Sequence, residues 1–137
     1  MYKVVKEVSW CAAHRLLDHK GPCKNIHGHS YRALFTIQKK KLNDMGMIID
    51  FTDLKHLIQG WIDEHWDHSV ILHEKDPMIS VFKNFDNKIF VLKNNPTAEN
   101  MAKYLFVNFS IVLGGFDVEL VSVEVFETIT SSAIYEK

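Results

Sequence analysis

Apolar positions recur along this chain at two spacings. Residues 2–13 are rich in β-branched side chains and read as a strand. In "HSYRALFTIQ", residues 29–38, Tyr31, Ala33, Phe35 and Ile37 alternate with other residues and share one face, which predicts a half-buried strand. After turn chemistry in "NDMG", residues 43–46, the spacing lengthens. Phe51, Leu54, Leu57, Ile58, Trp61, Ile62 and His65 predict a helix over about 51–65, with Asp50 as its N-cap and Asp53 in its first turn. Residues 69–88 follow no clear period, although "KIFVLK" suits a short strand. A second helix begins near Thr97, carries Ala98, Met101, Ala102, Leu105, Phe106, Phe109, Val112 and Leu113 as its stripe, and ends at Gly114 and Gly115. "DVELVSVEVFET", residues 117–128, alternates as a long strand, and "SAIYEK" suits a last short one.

The order strand-strand-helix-helix-strand-strand predicts an α+β fold with an antiparallel sheet covered by helices on one face. About four strands leave exposed edges, and oligomerisation is one way to cover them. No repeat, linker or low-complexity segment interrupts residues 1–137, and that length suits one domain.

Composition narrows the partners. Hydrophobic residues make up 47% and charged residues 24%, and the net charge is -1. Disorder is excluded on that balance, and no basic excess points to nucleic acid. No apolar run is long enough to cross a bilayer, and "MYKVVKEVSW" has no apolar signal core, so the expected location is the cytoplasm. Two cysteines are too few for a disulfide framework. Cys11, inside a strand, is expected to be a small buried hydrophobe.

The chemistry concentrates in "CKNIHGHS", residues 23–30. His27 and His29 lie two apart at the start of a predicted strand, so both side chains point to one face. Gly28 between them lets the backbone approach a neighbour closely. His14 ends the first strand, and hairpin pairing of the first two strands brings it near the other two. Three neutral imidazoles with an open fourth position are the plan of a catalytic zinc site, while a structural site closes all four. Zinc suits imidazole best, though copper, iron and nickel also accept it. Cys23 leaves two options: a fourth ligand, or a free thiolate beside the metal that acts as base or nucleophile. His19, His56 and His73 are expected to be ordinary surface or hydrogen-bonded residues.

Two carboxylates add to this. Asp67 precedes His68 in "WDHS", and a carboxylate beside an imidazole orients it and raises its basicity. Adjacent side chains do not easily reach each other, so the pair is a weak signal on its own. Glu127 follows Val121, Val123 and Val125 on one face of its strand. A carboxylate there needs a partner, and two adjacent N–H donors of a guanine- or pterin-like ring would serve. The chain contains no H-E-x-x-H, G-x-S-x-G, P-loop or G-x-G-x-x-G.

Taken in order, "AAHRL", "CKNIHGHSY", "IIDFTDLK", "WDH", "NPTAEN" and "FET" resemble the 6-pyruvoyl-tetrahydropterin synthase and 6-carboxy-tetrahydropterin synthase family over nearly the whole chain. The resemblance implies a tunnelling fold, with a barrel closed by oligomerisation, usually as a homohexamer of two trimers. It implies zinc on His14, His27 and His29, a catalytic Cys23, an Asp67–His68 pair acting on the cysteine across a subunit interface, and Glu127 as pterin anchor. The implied substrate is 7,8-dihydroneopterin triphosphate. In the carboxy branch the products are 6-carboxy-tetrahydropterin, triphosphate and acetaldehyde, on the route to 7-deazaguanines such as queuosine. In the pyruvoyl branch the side chain is kept, on the route to tetrahydrobiopterin. The stretch from "WDHS" to "NPTAENMAKYLF" is more similar to the carboxy branch. "SVILHEKDP" departs from the family, because many relatives have a short turn there. Lys24 and Arg15 are nearby candidates for the triphosphate. A non-catalytic zinc- or pterin-binding module is the reading from a different class.

Overall fold

A computed structural model describes all 137 residues of the chain. The first two strands, β1 (Tyr2–His14) and β2 (His27–Lys39), pair antiparallel along their full length, from Tyr2 opposite Lys39 to His14 opposite His27. Next come α1 (Phe51–Leu54), a π-helical segment (Lys55–Gln59) and α2 (Gly60–His65), which run on without a break. Asp50 caps the run, accepting from the Thr52 amide at 2.7 Å. Then follow β3 (Ser69–His73), α3 (Met78–Asn84), β4 (Ile89–Leu92), α4 (Ala98–Gly114), β5 (Glu119–Phe126) and β6 (Ser132–Glu136). Thr97 caps α4 through the Asn100 amide.

The sheet has six strands in the order β4-β3-β1-β2-β5-β6. This corrects the expected four-stranded antiparallel sheet. The strands β3 and β4 are parallel additions, with β3 joining β1 only at Ala12–His14. Both come from short runs whose residues show no clean alternation, and α3 supplies the crossover that a parallel pair requires. The strand β5 departs from simple alternation too. Its register against β2 shifts between Thr36 and Ile37, opposite Ser122 and Leu120, leaving Val121 as a bulge residue. Leu120, Val123 and Val125 are therefore the buried residues, and Val121 is only half-buried.

The core lies between one sheet face and the helices. Val8, Trp10, Ala12, Tyr31, Ala33, Phe35 and Ile37 meet Leu54, Ile58, Ile62 and Trp66 from the first helical run and Met101, Ala102, Leu105, Phe109 and Leu113 from α4. Each Val, Leu, Ile, Phe or Met among them contributes roughly 1.5–3 kcal/mol on burial. Val112, expected in the α4 stripe, is instead 42% exposed. Cys11 corrects a second expectation. Trp10, Ala12 and His14 take the core face, so Cys11 points to the opposite face and is exposed. No helix is long and apolar enough to cross a membrane.

The outer edge of β1 is closed from Ser9 onward. The Gln59 side chain accepts from the Ser9 amide at 3.2 Å and donates to the Ser9 carbonyl at 2.9 Å, standing in for a strand residue. Asp67 accepts from the Cys11 amide at 2.9 Å, and β3 takes over from Ala12.

Candidate metal centre and its surroundings

The antiparallel arrangement of β1, β2 and β5 brings the end of β1, the start of β2 and the end of β5 to one edge of the core. His14, His27, His29 and Glu127 meet there, each offering a ligand atom within 4.8 Å of the others. The alternation that buries Val123 and Val125 carries Glu127, two residues past Val125, onto the core face. A side chain at position 28 would bring its Cβ within 3.3 Å of the Ala12 carbonyl oxygen, so glycine keeps β1 and β2 close between the two histidines.

The hydrogen bonds fix how the rings are protonated. His14 Nδ1 lies 2.7 Å from the Pro96 carbonyl and His27 Nδ1 lies 2.8 Å from the Asn25 carbonyl. A carbonyl only accepts, so both Nδ1 atoms carry the proton and both Nε2 atoms present bare lone pairs. Those two lone pairs face each other at 3.1 Å. Burial holds the His14 imidazole below its ordinary range against the opposing pull of Pro96 and Glu127, so the ring is neutral and cannot donate across the gap. His29 Nε2 is buried with no directed hydrogen bond, although Glu127 Oε1 lies 2.9 Å away. His14 Nε2 and His27 Nε2, turned inward as lone pairs by backbone carbonyls, together with His29 Nε2 buried beside them form a set of nitrogens suited to a divalent metal ion. Tyr31, whose hydroxyl lies 3.2 Å from His14 Nδ1, is kept a neutral phenol by burial and by Glu127.

Cys23 is not one of the four clustered residues. It sits half-buried in a 3-10 turn, Pro22–Lys24, shortly before His27. The loop that carries it is tied down at several points. The Leu16 amide donates to the Cys23 carbonyl at 2.9 Å, and Asn95 exchanges two hydrogen bonds with the Leu17 backbone, at 2.7 and 3.0 Å. Arg15 donates to both oxygens of buried Asp76, at 2.7 and 2.6 Å. The Arg15 guanidinium is thus already engaged in a two-point ion pair, and only Lys24 of the two triphosphate candidates is without such a partner.

Asp67 and His68 do reach each other. His68 adopts a left-handed backbone conformation, φ 57°, and its Nδ1 comes to 2.9 Å from Asp67 Oδ2. The His68 amide donates to the Cys11 carbonyl at 2.7 Å, which anchors the turn. That positive φ, invisible in the residue spacing, is what lets two adjacent side chains meet. The His68 side chain is 81% exposed and points away from the core. It lines a shallow cleft together with Cys11, Gly28, His29 and Ser30. His19 and His73 act as turn acceptors, for the Gly21 and Lys75 amides, and stand outside the cluster.

Comparison with known proteins concerns the whole chain. The family model described as 6-pyruvoyl tetrahydropterin synthase matches residues 3–137. A Rickettsia bellii protein named 6-carboxy-5,6,7,8-tetrahydropterin synthase is 41% identical over 107 residues, covering 77% of this chain and 78% of its own. A Haemophilus influenzae protein of the same name is 31% identical over 144 residues, covering 100% of both chains. Among solved structures, an uncharacterized protein from Wolinella succinogenes superposes with a TM-score of 0.86 at 21% identity, over 99% of this chain and 98% of that one. The 6-pyruvoyl tetrahydropterin synthase of Plasmodium falciparum gives 0.75 at 21% identity, over 99% and 97%. Likeness in sequence over most of the chain and in fold over nearly all of it agree, and the chain belongs to the 6-pyruvoyl tetrahydropterin synthase family.

Proposed function

We propose that this chain is a zinc-dependent lyase that converts 7,8-dihydroneopterin triphosphate to 6-carboxy-5,6,7,8-tetrahydropterin, releasing triphosphate and acetaldehyde, in 7-deazaguanine (queuosine) biosynthesis. The observation that carries this reading is the convergence of His14, His27 and His29, the first two with inward-facing nitrogen lone pairs, beside Glu127 at one end of the sheet. It is supported by the names of relatives such as those from Rickettsia bellii and Haemophilus influenzae, the second matched along its full length.

The roles follow from chemistry and position. His14, His27 and His29 would hold Zn2+, which would supply Lewis-acid polarisation of the substrate's side-chain oxygens. The Pro96 and Asn25 carbonyls hold His14 and His27 in the tautomer that leaves Nε2 free. Glu127, at the rim with 28% of its side chain exposed, accepts two N–H bonds from the pterin ring and so orients it over the site. Cys23 and His68 move protons, and Asp67 holds the His68 ring. His68 points out of its own chain, which suits action on a neighbouring subunit's site in a cytoplasmic homohexamer, a dimer of trimers.

The test is incubation of the metal-loaded protein with 7,8-dihydroneopterin triphosphate. The expected products are triphosphate, acetaldehyde and 6-carboxy-tetrahydropterin. Triphosphate release with the three-carbon side chain retained would move the assignment to the pyruvoyl branch. No consumption of substrate, with metal bound and the oligomer intact, would sink both enzyme readings and leave a binding module.

A further inference from the structure

The segment between α3 and β4 reaches back to the Asp67–His68 turn through one side chain. Lys88 is held in place by its backbone, whose carbonyl accepts from the Val70 amide at 2.9 Å. Its ammonium donates to the Asp63 carbonyl at 3.0 Å and to the Asp67 carbonyl at 2.7 Å. Asp63 lies in the last turn of α2, where backbone carbonyls lose their helical partners, and a cation there meets both the free carbonyls and the negative helix end. The Asp67 carbonyl opens directly into the left-handed residue His68. Lys88 therefore spans the point where the helix stops and the turn begins, and it lines the same cleft as His68.

We propose that Lys88 is the positioning residue of the Asp67–His68 pair, clamping the carbonyls of Asp63 and Asp67 so that the turn presents the His68 ring at one fixed angle. This rests on the reading of Asp67 and His68 as a proton-handling pair. The Asp67 carboxylate is fixed independently by the Cys11 amide, and the His68 amide by the Cys11 carbonyl. Those two bonds set where the turn starts. The Asp67 amide is held to the helix by the Ile62 carbonyl at 2.8 Å, and the Lys88 clamp adds the side-chain tie between the Asp63 and Asp67 carbonyls. The ammonium also favours the charged form of Asp67, in the same direction as the Cys11 amide and the His68 ring.

Four proteins test it: Lys88→Met, Lys88→Arg, Asp67→Asn and the double variant Asp67→Asn/Lys88→Met. Each is assayed for kcat, KM, bound zinc and thermal midpoint. Lys88→Met is expected to lower kcat about tenfold with KM, zinc content and midpoint unchanged, and Lys88→Arg to restore kcat to within about twofold. Because Lys88 acts through the pair, Lys88→Met should change kcat by less than about twofold once Asp67 is already asparagine. An equal loss in both backgrounds, or loss of zinc or of cooperative melting in Lys88→Met, would assign Lys88 to general stability and overturn the proposal. Full activity in Lys88→Met beside an inactive Asp67→Asn would overturn it while leaving the pair's role intact. Full activity in Asp67→Asn would remove the pair's role and the clamp's purpose together.

Discussion

Replacing Asp67 with asparagine separates two tasks that its carboxylate performs. One oxygen accepts the Cys11 amide at 2.9 Å, which seals the edge of β1, and the other lies 2.9 Å from His68 Nδ1. The amide oxygen of the D67N variant can still take the Cys11 bond. Its NH2 group then faces His68 Nδ1, and two donors cannot bond. The ring must move its proton to Nε2 or turn away, and in either case it loses the acceptor it would present to substrate. Stability should change by less than about 0.5 kcal/mol, while loss of the correctly held tautomer should lower kcat between about a hundredfold and ten-thousandfold. Asp67→Ala, in contrast, strands the Cys11 amide and should also cost about 1 kcal/mol. The assays are steady-state turnover, zinc content and urea unfolding at fixed protomer concentration. The acid limb gives a further check. Burial raises the Asp67 carboxyl, but the Cys11 amide, the His68 ring and Lys88 outweigh it and hold the group below its ordinary value of 3.8. Its stabilisation is therefore complete above about pH 4 and is lost as pH falls through the lower folded value, a loss that D67N should not show. Wild-type turnover in zinc-loaded D67N, or equal destabilisation of D67N and D67A, would refute the reasoning.

Other expectations concern the cluster and its supports. His27→Ala should bind no zinc at micromolar concentrations by elemental analysis, against about one per chain in the parent. Cys23→Ala should keep its zinc and its cooperative melting but lose most turnover, and loss of metal in that variant would make Cys23 a ligand. Glu127→Gln should keep zinc and weaken substrate binding about tenfold to a hundredfold by calorimetry, because the ring donors lose a charged acceptor. Loss of zinc instead would reassign Glu127 to the metal. Asp76→Asn removes the charge from a buried carboxylate that Arg15 grips twice, and should destabilise by about 2–3 kcal/mol in urea. Burial raises the Asp76 carboxyl, but Arg15 and the Met78 amide outweigh it and hold the group below its ordinary value, so its contribution is complete above about pH 4 and is lost as pH falls through the lower folded value.

The residues that were legible in the sequence share one property: their partners are local or follow from alternation. His27 and His29 share a face because a strand has period two, and hairpin pairing sets His14 opposite His27. Asp50 and Thr97 cap helices through amides a few residues on. What was not legible depends on long-range register or on a single dihedral angle. The strand β4 lies in "KIFVLK", as the sequence suggests, but its parallel pairing with β3 runs through a crossover that no short apolar run announces. A bulge buries Leu120 in place of Val121 in β5, while Glu127 follows the alternation of Val123 and Val125, and Arg15 finds Asp76 across 61 positions. The Asp67–His68 contact needs a positive φ that spacing alone argues against.

The Gln59 bond to Ser9 has a consequence for any strand laid along the outer edge of β1. Ser9 and Cys11 direct their main-chain groups outward and are already taken, so by alternation the groups still free along that edge belong to Lys3, Val5 and Glu7. An added strand can run only as far as the Gln59 amide, which acts as an end stop. Sliding by one residue would turn every side chain of the incoming strand to the wrong face, and sliding further toward His14 would collide with a helix-borne side chain. Any strand added to this edge would have its register limited by one glutamine, short of the Asp67–His68 turn.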